Sequence, residues 1–332
     1  MKDLLAQAMA FFALLLLSCL NQTQVSAQQE PIALADKEGT WEYIYLDDGN
    51  TKMYCQNFGM TPKEISEFKL KMDQLVNILH KNPVMQNPRG FDADVQSRPY
   101  YPHSFKKHAV NYGYIAEINF RLPEWYESKG RVYKQTIEPP RTTIYFNNLE
   151  ILRHAAFSYA EEGNPRETAR ISDVCKPMVI KKIAPGVVLY DYAIVFTRPD
   201  KHLFLPCSVE EAYTRLIDYY ESAAENQPMF EYLLGPVKEE YSRLAPDKLK
   251  LPAFFGGPNG ITWQPNADTL MIFNNDFFDR TVPKTKVQAI VFPIDADYFR
   301  KQSDYLPNSV GSKRINQFLH TLDYSAISAV LD

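Results

Sequence analysis

Ala116, Ile118, Phe120 and Leu122 alternate with Glu117, Asn119 and Arg121. Successive side chains on a strand point to opposite faces, so this run demands a sheet with one face packed and the other wet. Val132 to Ile137 and Thr142 to Phe146 continue the pattern, and Pro139-Pro140 between them reads as a turn or edge breaker. Upstream, Trp41, Tyr43 and Tyr45 alternate with Glu42 and Ile44, which predicts a short strand closed by a turn at Asp47-Asp48-Gly49-Asn50. The aromatic share of 13% fits, because Tyr and Phe favour pleated, half-buried strands.

Helices are announced by their first turns. Thr61-Pro62-Lys63-Glu64 is a capping box with proline at the first helical position, and Met60 and Ile65 form a hydrophobic staple. Ile65, Phe68, Met72, Leu75, Val76 and Leu79 then make one apolar stripe, ended by Asn82-Pro83. Ser208-Val209-Glu210-Glu211 is a second capping box, followed by the stripe Ala212, Leu216, Tyr219 and Ala223. A further helix is expected over Pro236 to Arg243, and a last one under Ile315, Phe318, Leu319 and Leu322, with Asp323 capping a short turn after it. Strands are expected at Met178 to Ile183, Val187 to Phe196, Leu203 to Leu205, Thr269 to Phe273 and Val287 to Phe292.

The resulting class is α+β: antiparallel sheets with a few packed amphipathic helices. Thr143 to Asn148 resembles Leu270 to Asn275, a hint of two similar helix-plus-sheet halves. The polar stretch 161–176 with its Gly163-Asn164-Pro165 breaker suggests units over 40–162 and 163–332, preceded by a flexible lead-in over 28–39.

Residues 1–27 read as a signal peptide. Lys2 supplies positive charge, Leu4 to Leu17 is apolar apart from Gln7, and Val25-Ser26-Ala27 offers small residues for cleavage. The apolar run is shorter than the ~20 residues that span a bilayer, and no later segment is long and apolar enough, so no span is expected after cleavage. Leu16-Leu17-Ser18-Cys19 also resembles a lipoprotein box, which would anchor the chain in a membrane through Cys19. Leu17 fits such a box poorly, and cleavage after Ala27 is the preferred reading. The expected compartment is the periplasm or the medium, with an outer-membrane lipoprotein as the alternative. Cys55, Cys175 and Cys207 then remain, and export permits a disulfide. Cys175 with Cys207 is the expected pair among three thiols, one of which must stay unpaired.

A net charge of −4, with lysines in pairs rather than runs, argues against nucleic acid as a partner. There is no GxSxG elbow, HExxH helix or Walker loop, and Gly256, Gly257 and Gly260 do not open a helix after a strand. No cofactor is implied. His103 and His108 are five residues apart, which suits neither a helical nor a strand metal pair, so no metal is assigned. Asp92/Asp94 and Asp295/Asp297 are DxD pairs that could converge on a cation or serve as catalytic carboxylates, and Asn274, Asn275, Asp276 and Asp279 form another polar cluster. Tyr100 and Tyr101, between two prolines, His103 directly after the second, and Trp263, after the glycine-rich loop, are the candidate binding residues, because exposed rings stack on sugars and peptides.

Several segments carry a resemblance. Asn82-Pro83 with Asn87-Pro88-Arg89-Gly90-Phe91, Phe196-Thr197-Arg198 with Leu205 to Tyr213, Leu251-Pro252-Ala253-Phe254, and Leu322 to Ile327 together resemble a group of uncharacterised exported proteins of Bacteroidota. The likeness spans most of the mature chain and implies export from a Gram-negative cell, with no activity attached. The expected function is a non-catalytic binding or cell-envelope-associated protein with a glycan or peptide ligand. The alternative is a secreted hydrolase of glycan or peptide, acting through paired carboxylates such as Asp92 or Asp276.

Overall fold

The computed structural model describes residues 32–99, 112–148, 151, 174–175, 179–190, 193–225, 228–294 and 310–332. In chain order its strands are β1 (Ile32–Ala33), β2 (Trp41–Tyr45), β3 (Ala93–Pro99), β4 (Ala116–Arg121), β5 (Trp125–Ser128), β6 (Arg131–Lys134), β7 (Arg141–Phe146), β8 (Val174–Cys175), β9 (Val179–Ala184), β10 (Val187–Tyr190), β11 (Ala193–Thr197), β12 (Phe204–Pro206), β13 (Phe254–Phe255), β14 (Ile261–Thr262), β15 (Met271–Phe273) and β16 (Ala289–Pro293). The helices are α1 (Gly49–Asn57), α2 (Pro62–His80), α3 (Pro83–Gln86), α4 (Val209–Ala224), α5 (Met229–Arg243), α6 (Pro246–Leu249), α7 (Val310–His320) and α8 (Tyr324–Ser328). The protein is α+β, as the patterning predicts.

Eight strands form one sheet in the order β2-β3-β4-β7-β16-β11-β10-β9, antiparallel except where β2 pairs with β3. Strands from both sequence units share this sheet, and the seam is the β7–β16 pair, with Phe146 opposite Ile290 and Tyr145 opposite Val291. The repeated strand sequences take different places, β7 in the large sheet and β15 in a three-stranded sheet, β12-β15-β8.

Alternation decides what each face meets. Val95, Ile118, Phe120, Ile144, Phe146, Ile194, Phe196 and Phe292 point to one side, where α2, α7 and α8 supply Phe68, Met72, Leu75, Phe318 and Ile327 to a single core. Ala193, Val195, Ala289 and Val291 point to the other side, into a second core with Phe204, Phe273, Phe277 and Phe278. β15 is itself two-faced: Phe273 packs on the large sheet, and Ile272 packs with Val209, Leu216 and Tyr220 of α4 in a third core. Among the described residues, the small sheet and the α4–α5 pair therefore cover the β16-β11-β10 end, and none is packed over the β3-β4-β7 end of that face.

Both capping boxes form. Thr61 and Glu64 exchange side-chain and backbone hydrogen bonds, and so do Ser208 and Glu211. Asp323 caps α8 by accepting from the Ala326 amide. Three expectations change. The turn expected at Asp47 to Asn50 is the start of α1, where Asp48 accepts from the Thr51 amide as N-cap. The segment Val187 to Phe196 is a hairpin, β10 and β11, rather than one strand. Within the lead-in expected to be flexible, residues 32–39 are held: Ile32 and Ala33 pair with β5, and Gly39 donates its amide to Pro88. Gly39 also sits so close to Phe91 that a Cβ would lie 1.8 Å from the Phe91 carbonyl oxygen, so only glycine fits there.

The expected Cys175–Cys207 disulfide is corrected. Cys207 is a free, buried thiol, and its Sγ donates to the Leu270 carbonyl at 3.5 Å. Burial, reinforced by Glu211, pushes the thiol up to about 12. A thiol so rarely ionised is a poor nucleophile. Iodoacetamide at pH 8 should leave Cys207 unmodified in the native protein and label it fully in denaturant, a difference read by peptide mass spectrometry.

Candidate functional site

The open end of the sheet carries the wet side chains of the alternating strands. Register lines them up in rows across β3, β4 and β7. In the first row Asp94 faces Arg121 and Arg121 faces Arg141; in the second Gln96 faces Asn119 and Asn119 faces Thr143; in the third Arg98 faces Glu117 and Glu117 faces Tyr145. Tyr145 packs against the second core and so marks where the covered half begins. The rows floor a cleft of about 900 Å³, within the range that holds a small ligand. One wall is the β6–β7 connection with Glu138 and Pro139. Glu138 is held at a φ of 44°, and the Gln135 amide donates to the carbonyls of Ile137 and Glu138, which fixes that turn.

Charges in the cleft are unevenly partnered. Glu117 is buried and takes a 2.8 Å hydrogen bond from Arg98 Nε, and Arg98 reaches Asp48 at 3.6 Å. Thr143 donates to Asn119 Oδ1 at 2.7 Å, and among the described residues the Asn119 amide nitrogen has no acceptor. Arg121 and Arg141 are exposed, and among the described residues neither forms an ion pair or a side-chain hydrogen bond.

Of the DxD pair Asp92/Asp94, Asp92 alone pairs with a cation among the described residues, the Lys134 ammonium. Asp92 is buried and accepts from Lys134 Nζ (3.0 Å), the Thr40 amide (2.9 Å) and the Trp125 ring N–H (3.2 Å). Burial alone would raise its pKa, and these three donors outweigh burial and hold it below the usual carboxylate range. For Asp94 burial dominates and raises the pKa, against the pull of Lys134. Asp92 thus ties β3 to the β5–β6 hairpin.

The Asn274–Asp279 cluster is turn structure. Asn274 accepts from the Asp276 amide and donates to the His202 carbonyl, while Asp279 accepts from the amide and hydroxyl of Thr281. Trp263 is half-buried against the third core and is not among the residues lining the cleft. Tyr100, Tyr101, His103, Cys19 and the pair Asp295/Asp297 lie outside the described residues. Among the described residues no group of three or more His, Cys, Asp or Glu could hold a metal ion, and no helix is long and apolar enough to cross a membrane.

The sequence alone assigns no ligand-binding role to Arg98, Glu117, Asn119, Arg121 or Arg141. The alternation marks Glu117, Asn119 and Arg121 as wet, but only strand pairing brings Gln96 and Arg141 beside them. No known protein family, curated protein or solved structure matches this chain.

Proposed function

We propose that this chain is an exported, non-catalytic binding protein of the cell envelope whose ligand face is the open half of the large sheet. The observation that carries the reading is the one-sided cover among the described residues: the apolar half of that face is buried under the small sheet, while Gln96, Asn119, Arg121 and Arg141 of the other half line a cleft. A glycan or peptide chain laid on it meets side-chain donors with few internal partners. The hydrolase reading is weaker, because it needs two poised carboxylates. Asp92 is saturated with internal donors, and Asp276 sits in an exposed turn.

A thermal-shift screen of glycans and peptides tests the binding site. At least one class should raise the melting temperature of the protein, and the double substitution Gln96→Ala/Asn119→Ala should remove that rise. A flat response to every class would sink the proposal. Export is tested separately by N-terminal sequencing of the mature product, which should begin at Gln28. A lipid-modified Cys19 at the N-terminus would establish the anchored alternative, and retention of Met1 would end the export reading.

A further inference from the structure

We propose that Arg121 and Arg141 clamp the acidic group, a carboxylate or a sulfate, of a saccharide lying on the open half of the sheet; this rests on the cleft being the binding face. The two arginines are direct cross-strand partners. Like charges placed directly opposite destabilise a sheet pair, and Asp94, the nearest carboxylate in the row, stands between Glu42 and Arg121 and is not a partner of Arg141. Side chains opposite one another start about 5 Å apart at Cβ, which lets two guanidiniums close on one oxyanion from either side. Each guanidinium presents a planar fork of donors that matches a carboxylate or sulfate.

The rest of the floor selects a saccharide over a peptide. β3, β4 and β7 are each paired on both sides, so the cleft offers no unpaired backbone edge for strand addition. Among the described residues lining it, Pro139 alone is apolar. One row along, about 7 Å away by strand spacing, come the Gln96 and Asn119 amides, which can donate to and accept from ring hydroxyls. The acids Glu117 and Glu138 also line the cleft, so the attraction for an acidic group is concentrated at the arginine pair.

Isothermal titration of the full mature protein tests this with three probes: an oligogalacturonate, the same oligomer methyl-esterified, and a sulfated disaccharide. The oligogalacturonate, the sulfated probe, or both should bind, and the two arms show which acid is preferred. Arg121→Gln and Arg141→Gln should each weaken binding at least about tenfold, and esterification should do the same to the uronate. Arg131→Gln, on the exposed β5–β6 hairpin, should change nothing, and melting curves will show that all three variants fold. Equal binding of the esterified oligomer, with loss only on Gln96→Ala or Asn119→Ala, would overturn the clamp and leave the cleft reading intact. Absence of binding to all three probes overturns the clamp; binding that no cleft substitution alters overturns clamp and cleft together.

Discussion

Asn147→Leu is expected to destabilise the protein by about 4 kcal/mol or more, because buried polar groups left without partners cost about 1–3 kcal/mol each. Asn147 is buried at the end of β7, next to the seam of the large sheet. Its amide donates to the Tyr114 carbonyl (3.1 Å) and the Lys286 carbonyl (2.9 Å), and its Oδ1 accepts from the amides of Gln288 (2.8 Å) and Ala289 (3.2 Å). Leucine strands all four groups. It must also adopt the left-handed φ of 50° that Asn147 holds, a region asparagine tolerates far better than a branched aliphatic side chain. Such a loss is a large part of the ~5–15 kcal/mol that holds a typical protein folded. Urea unfolding followed by tryptophan fluorescence measures it, and a loss under about 2 kcal/mol would show that the side chain is not the seam's fastener.

Asn147→Asp separates hydrogen bonding from shape. The carboxylate can still accept from Gln288 and Ala289, but its second oxygen faces two carbonyls unless it is protonated. Its folded pKa should therefore be raised above the ordinary ~3.9 of aspartate. A raised acid pKa adds a penalty that grows as pH climbs from the unfolded toward the folded value. Asn147→Asp should accordingly lie closer to the parent protein at pH 4 than at pH 7. An equal deficit at both would mean the two carbonyls are reached by water.

The unequal success of the sequence reading has a physical origin. Capping boxes at Thr61 and Ser208 are complete within four residues, so both could be read directly and both form. Asp48 misleads because an aspartate that caps a helix and one that closes a turn use the same local hydrogen bond to a following amide. α1 also buries only Thr51, Tyr54 and Cys55, too few to print a stripe on the sequence. The alternation at 116–122 correctly announces a wet face. It cannot announce that Arg121 faces Arg141, because that depends on the β4–β7 register, which only tertiary pairing sets. Asn147 looks like an ordinary turn residue beside Asn148, and its burial follows from β16 returning from more than a hundred residues downstream to lie against β7.

Asp92→Ala is expected to cost about 3 kcal/mol at pH 7, with charge-assisted hydrogen bonds contributing about 1.5–3 kcal/mol each. The Lys134 share is discounted because that ammonium is 40% exposed and regains water. Asp92→Asn should cost less: Thr40 and Trp125 both donate to Oδ1, which the amide retains, and only the oxygen facing Lys134 is lost. The pH dependence follows from the depressed folded pKa of Asp92. Its contribution is fully present above the unfolded value near 3.9 and disappears as pH falls through the lower, folded value. Asp332 works in the same direction: burial raises its pKa, but Lys71 (2.8 Å), the Val287 amide (3.0 Å) and Lys286 (2.9 Å) outweigh burial and depress it. The parent protein should therefore lose stability steeply below about pH 4, where ordinary carboxylates begin to protonate. Asn at position 92 does not titrate, so the stability gap between the parent and Asp92→Asn should narrow as pH drops from 5 to 2. Urea midpoints at several pH values measure that gap. If it stays constant, Asp92 titrates alike in the folded and unfolded chain, and the link between β3 and the β5–β6 hairpin does not depend on the ion pair with Lys134.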